Sequence, residues 1–373
     1  MRAMKFILLL MIAASLDSQL HPVLGQGLQG NSADWDKIVE AANKEGKVVV
    51  SIPTSAELRK QFESAFHAAF PGIELELNVG RGGSNISKIV DEYSAGVHGV
   101  DIHIGGTVSI ITGLLGQNLL EPIMPMMMLA EVKDPKNWWD GHLWADHAKR
   151  DVYSFAAYIT ETAWYNSTLV RPEEIASYDD LLKPKWKGKI AILDPRTAGS
   201  GESTWAFLWK IKGEQFLTKL AAQDMLVGRN LRQLAEAVAR GKQAISIGLS
   251  YYSYLPFVKA GLPVKPIRTV KEGFYASSGS GNVVVIKDAP HPNAAKVFLN
   301  WLLSKEGQAV FTKALGQPTR RLDVDTKWTR EFGHVSAKEA LTPEKYDELE
   351  NSSENIIKKV RKPAMQLAEK LFN

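Results

Sequence analysis

Two adjacent phenols, Tyr251 and Tyr252, are the sharpest chemical feature of the chain, and they follow the short apolar run Gln243 to Gly248. A phenol can donate and accept hydrogen bonds, stack on a flat ligand or supply a hard oxygen donor. Arg81, in Arg81-Gly82-Gly83-Ser84, is the best cationic candidate, because a guanidinium grips a carboxylate or phosphate with two hydrogen bonds. Arg196 is a weaker one. Thr197-Ala198-Gly199-Ser200-Gly201 runs into a helix, so its amides and hydroxyls point at whatever sits beyond it. A helix N-terminus favours an anion by about 0.3–1 kcal/mol, and by up to ~2 when partly buried. These groups suit an oxyanion held by neutral donors and a cation.

Catalytic constellations are missing. Gly199-Ser200-Gly201 and Gly279-Ser280-Gly281 lack the spacing of a nucleophile elbow, and no histidine opens a His-Glu-x-x-His zinc motif. The Gly-Lys pairs at Gly46, Gly188 and Gly241 are not followed by Ser or Thr, so no phosphate-binding P-loop is present. The run from Gly80 to Asn85 lacks the last glycine of a dinucleotide fingerprint. The reading is a binder, with no cofactor.

A net charge of +4 on 373 residues gives no nucleic-acid footprint, and the basic run Lys358 to Lys362 reads as a solvated helix face. Arg2 and Lys5, the apolar run Phe6 to Ala14, and Val23 with Gly25 form a secretory leader cleaved near Gly25. The apolar run has roughly half the ~20 residues a membrane span needs. Cysteine is absent, which excludes disulfides, thiol catalysis and a lipoprotein anchor. An exported, soluble periplasmic protein is expected.

Strand and helix patterns alternate, which means parallel βαβ units. A helix from Trp35 to Glu45 precedes the short, valine-rich apolar strand Lys47 to Ile52, a pattern that predicts burial on both faces. A helix from Ser55 to Phe70 and a strand with Ile73, Leu75 and Leu77 follow. A helix capped by Ser84 or Asn85 and the strand Asp101 to Ile104 come next. Trp138, Trp139 and Trp144 are read as core under a loop, and Tyr153 to Tyr165 as one long extended run. A second βα series begins at Lys189. Residues 283–287 form a strand, and Pro290-His291-Pro292-Asn293 opens a helix with Ala295, Phe298, Trp301 and Leu302 on its apolar face.

The fold class expected is α/β in two lobes. A leader covers 1–25, a discontinuous first lobe covers 26–158 and 283–373, and a second lobe covers 159–282. The extension from about Ser336 is placed with the first lobe. Ligands in open α/β sheets sit beyond the carboxyl ends of the strands. That rule selects Ser51, Thr54, Ser55, Arg81, Gly82, Ser84, Gly106 and Thr107 in the first lobe. In the second it selects Thr197, Ser200, Gly201, Tyr251 and Tyr252.

Several blocks resemble one family. They are Tyr165 to Val170, Tyr178 to Leu182, Pro184-Lys185-Trp186-Lys187-Gly188-Lys189-Ile190-Ala191-Ile192 and Asp194-Pro195. Ser280 to Val283, Ala289-Pro290-His291-Pro292-Asn293-Ala294-Ala295 and Leu303 to Gln308 agree. The chain from about Trp35 to Phe311 is similar to the type II periplasmic solute-binding proteins of the ferric-iron transport group, which includes binders of small organic and phosphorylated anions. The resemblance implies a monomer with a hinge between its lobes, and partners that are a small-molecule ligand and ABC permease subunits in the inner membrane. Iron-binding members place two adjacent tyrosines where Tyr251 and Tyr252 stand, and ferric ion suits anionic oxygen. They add a histidine in the first βα loop and a glutamate after the third strand. Here Ser51 to Ser55 holds neither His nor Tyr, and Gly105-Gly106 replaces the glutamate. The expectation is therefore a small organic or phosphorylated anion. Ferric iron on Tyr251 and Tyr252 is one alternative, and a sensor partner of a membrane kinase is another. Thiaminases of this fold use a cysteine, which this chain lacks.

Overall fold

The computed structural model describes residues 33–197 and 199–372, so the expected leader lies outside the described residues. The first-lobe sheet runs in the order Glu74–Gly80, Lys47–Pro53, Ile102–Gly105, Asn282–Ile286 and Leu120–Glu121, with Tyr153–Ser154 also on Asn282–Ile286. Lys47–Pro53 is parallel to both its neighbours, and its five central residues are buried, as its run of valines predicts. Asn282–Ile286 enters antiparallel, bringing the chain back into the first lobe.

Helices Ala33–Glu45, Ala56–Ala69 and Pro292–Leu303 cover one face. Phe62 and Phe66 each meet Trp301 edge-on at 5.3 Å between ring centroids. The His-Pro-Asn turn is fixed by two carboxylates. Buried Asp101 accepts the His291 amide at 2.8 Å, and Glu45 accepts the amides of Asn293 and Ala294 at the helix N-terminus, where negative charge is favoured. Trp138 is 2% exposed and Trp144 packs on the same core, so these tryptophans fill structure rather than face a ligand.

The second-lobe sheet runs Val264–Pro266, Ala163–Asn166, Ile245–Ile247, Ile190–Leu193 and Leu226–Gly228. The last three are parallel, and Ala163–Asn166 is antiparallel to both its neighbours. A small third sheet joins the lobes: Tyr158–Thr160 pairs with Ala276–Ser277 on one side and His334–Ser336 on the other. The extended run expected from Tyr153 to Tyr165 is thus split into three strands, one for each sheet.

Two expectations are corrected. The third helix begins at Gly82 with Arg81 as its cap residue, ahead of the expected Ser84 or Asn85. The Asn85 amide is taken by the strand-end carbonyls of Ile52 at 3.0 Å and Gly80 at 3.4 Å, leaving no role in capping. The C-terminal extension does not belong to the first lobe alone. Ala337, Tyr346, Leu349, Ala364, Leu367 and Ala368 are buried in the second-lobe core, and Ile357 in a first-lobe cluster. Small residues on helix Lys362–Leu371 let it lie close on helix Ser200–Lys212, where the Trp205 indole donates to the Ala364 carbonyl at 3.0 Å. No helix among the described residues is long and apolar enough to cross a membrane.

Candidate ligand cleft

Three first-lobe loops are knitted into one rim. Gly80 pairs with Pro53 in register, and the Asn85 amide links the Arg81 turn to Ile52. Ser109 Oγ donates to the Gly106 carbonyl at 3.0 Å, and a Cβ on Gly82 would stand 3.1 Å from that hydroxyl. Within this rim the polar groups differ in availability. Ser51 is 1% exposed, with its hydroxyl 3.0 Å from His103 Nδ1. Ser55 Oγ accepts the Leu58 amide as a helix cap. Thr107 is buried, with Oγ1 3.4 Å from Ser278 Oγ. Thr54, Arg81 and Ser84 are exposed and make no side-chain hydrogen bond or ion pair among the described residues.

Two second-lobe segments lie against each other. Ser200 Oγ donates to the Gly248 carbonyl at 2.7 Å. A Cβ on Gly248 would lie 2.8 Å from Gly201 Cα, and one on Gly201 would lie 2.4 Å from the Leu193 carbonyl oxygen. Bare backbone therefore brings Ser200 and Gly201, at the start of helix Ser200–Lys212, against the segment leading to Tyr251 and Tyr252, which open helix Tyr251–Lys259. Tyr251 is half-buried against Trp164, at 5.9 Å between ring centroids, while Tyr252 is 60% exposed. Tyr254 is structural: it is buried, stacked on Trp164 at 4.5 Å, and hydrogen-bonded to Ser246.

Arg196 is committed elsewhere. Its guanidinium makes two bonds to Asp194, at 2.8 and 2.9 Å, and a third to the Phe372 carbonyl. Arg196 and then Arg229 hold the Asp194 carboxyl far below the usual carboxylate range. Arg229, which sequence reasoning missed, spends one N–H on Asp194 and leaves the rest of an exposed guanidinium in solvent.

His103 was also missed. Its signal was a polar side chain alternating with Ile102 and Ile104 on a strand otherwise apolar. Burial lowers its pKa to about 4, so the imidazole is neutral, and Nε2 has no hydrogen-bond partner. The Ser51–His103 contact is not a catalytic pair, because Ser51 is shut from solvent and no carboxylate orients Nε2.

Residues 133–314 match the family model of the bacterial extracellular solute-binding proteins. The iron uptake protein A2 of Synechocystis sp. is 31% identical over 167 residues, which is 40% of this chain and 47% of that protein. The chain's matches span less than half the length of the curated relatives. The Trichodesmium protein IdiA (FutA), solved with iron and citrate, has 20% identity and a TM-score of 0.65, covering 87% of this chain and 99% of its own. The binding protein AfuA of Actinobacillus pleuropneumoniae, solved with fructose 6-phosphate, has 19% identity and a TM-score of 0.57 over the same shares. At these identities the likeness to the solved structures is one of fold. The chain has the two-lobed fold of the type II periplasmic binding proteins. Within that class the chain resembles the ferric-iron-binding group.

Proposed function

We propose that this protein is the periplasmic binding component of an ABC importer, capturing a small organic or phosphorylated anion and delivering it to permease subunits in the inner membrane. The observation that carries the ligand class is Arg81, exposed and uncommitted at the start of helix Gly82–Ser94, on a rim otherwise made of hydroxyls and backbone. The second-lobe loops supply the Ser200–Gly201 helix start and the two tyrosines. A fructose 6-phosphate binder among the proteins of this fold supports the reading. Export with cleavage near Gly25 and action as a monomer belong to the same proposal. Ferric iron is the second reading, favoured by the adjacent tyrosines and by relatives solved or named for iron; exogenous anions such as citrate would then complete the coordination shell.

One experiment separates them. Protein purified from its own periplasm is examined by native mass spectrometry, N-terminal sequencing and visible absorption. It is then titrated calorimetrically with fructose 6-phosphate, inorganic phosphate and ferric citrate. For an organic anion, each Tyr→Phe change removes one hydrogen bond and costs about 0.5–1.5 kcal/mol, or up to ~3 where the partner is charged. Arg81→Ala then weakens binding at least as much as Tyr251→Phe or Tyr252→Phe. A coloured ferric complex that either Tyr→Phe abolishes, with Arg81→Ala harmless, establishes iron instead.

His103 contributes a separate pH effect. Its folded pKa lies below that of an ordinary histidine, so the unfolded chain binds more protons between about pH 6.5 and 4. Stability attributable to this group is full above pH 6.5 and is lost as pH falls, by roughly 1.4 kcal/mol per unit. Urea denaturation from pH 7 to pH 4.5 should show this slope in wild type and a shallower one in His103→Gln.

A further inference from the structure

The C-terminal segment touches both lobes, and it is held very differently by each. On the second lobe, Arg361 is buried and bonds Glu202 at 2.9 Å through Nε, and Ser203 Oγ at 3.0 Å. The Asn351 amide side chain donates to the Ser203 carbonyl at 2.7 Å, and the Phe372 ring packs edge-on against Trp205. On the joining sheet, the Asn351 amide donates to the Ala276 carbonyl at 3.1 Å. Contact with the first lobe is smaller. The Glu354 amide donates to the Ala145 carbonyl at 2.8 Å, the Glu354 carboxylate accepts the His147 amide at 2.7 Å, and Ile357 joins a first-lobe apolar cluster.

Packing on that side is incomplete. A polar cavity of about 390 Å³ lies between this C-terminal strap and the first lobe, lined by Asp140, His142, Asp146 and Lys149 on one side and Ser352, Ser353 and Asn355 on the other. Elements with few apolar contacts open locally at lower free energy than a packed core.

We propose that the segment from Asn351 to Phe372 is an interlobe latch: it travels with the second lobe, and its Glu354 and Ile357 contacts with the first lobe restrain the opening of the cleft. A contact made in one lobe arrangement and lost in another biases the equilibrium between them without touching the ligand. The latch does not depend on the identity of the cargo, so it stands or falls separately from the proposed function.

The chain contains no cysteine, so two introduced cysteines label uniquely. Lys88 and Arg232 are exposed and sit on helices Gly82–Ser94 and Leu231–Ala239, one on each lobe, and each is replaced by cysteine. Spin labels at these positions report the interlobe distance in the ligand-free protein. With Glu354→Ala and Ile357→Ala together, the distribution widens and moves to longer distance. Glu354→Gln, which keeps an acceptor for the His147 amide, stays near wild type. Hydrogen exchange on the unmutated protein gives an independent reading. The Glu354 and His147 amides should exchange together, and faster than those of helix Ser200–Lys212. An unchanged distance distribution in the folded double variant overturns the latch. So does protection of those two amides equal to that of the helix, which also decides the matter if the double variant does not fold.

Discussion

Arg361→Ala lowers the unfolding free energy by about 3–5 kcal/mol, the cost of breaking a buried ion pair from one side. The side chains of Arg361 and Glu202 are 8% and 7% exposed, and Arg361 also donates to the Asn351 carbonyl at 2.9 Å. Removing the guanidinium leaves a carboxylate under the strap with no counter-charge and too little water to solvate it. It also leaves the Asn351 carbonyl and the Ser203 hydroxyl without that donor. Replacing both partners, as in Glu202→Leu with Arg361→Leu, removes the stranded charge and costs less than either single change. Urea denaturation of the three variants checks this ordering. A double variant less stable than Arg361→Ala would mean that packing of the long side chains, rather than the charge pair, holds this end of the strap.

Gly248→Ala is expected to weaken ligand binding by more than about tenfold and to destabilise the second lobe by ~3 kcal/mol. The left-handed backbone contributes about 1–2 kcal/mol, and overpacking about 1–3. Gly248 has φ +79°, and its Cβ would lie 2.8 Å from Gly201 Cα, a backbone atom with no rotamer to escape into. Relief requires separating the loop that ends at Gly201 from the segment that leads to Tyr251 and Tyr252. The two halves of the second-lobe site then move apart. Gly201→Ala acts at the same contact, since its Cβ would stand 2.4 Å from the Leu193 carbonyl oxygen. Gly188→Ala is the control: φ is +72° but nothing lies within 4 Å, so it should cost about 1 kcal/mol and leave binding intact. Calorimetric titration with the cargo found in the purified protein, alongside urea denaturation, distinguishes strain from loss of the site. Equal binding by Gly248→Ala and Gly188→Ala would show that the two loops need not touch to hold the ligand.

Periodicity and turn chemistry determined much of this protein in advance. The valine-rich run Lys47 to Ile52 specified a strand buried on both faces, because consecutive valines occupy both sides of the strand. Pro292 after His291 specified the helix that packs on the first-lobe sheet, and its expected face of Ala295, Phe298, Trp301 and Leu302 is buried. The position of loops at strand ends brought Ser200 and Gly201 against the segment before Tyr251, as a sheet with parallel neighbours demands.

Tertiary structure alone decided which polar groups are spoken for. Ser51, Ser55, Thr54 and Arg81 read alike as candidates, yet Ser51 turns to His103, Ser55 caps a helix, and Thr54 and Arg81 stay open. Hydrogen-bond partners far apart in sequence, such as Ser51 and His103, leave no local pattern. Arg196 looked like a free cation until Asp194 and the carbonyl of Phe372 closed around it. The strap was the largest surprise for the same reason. Its helix shows an apolar stripe that must be buried, but amphipathicity states only that a face needs cover and not which lobe supplies it. Trp205 and the buried Glu202 supplied it from the second lobe, because the small residues of the last helix fit there and Arg361 met a partner charge.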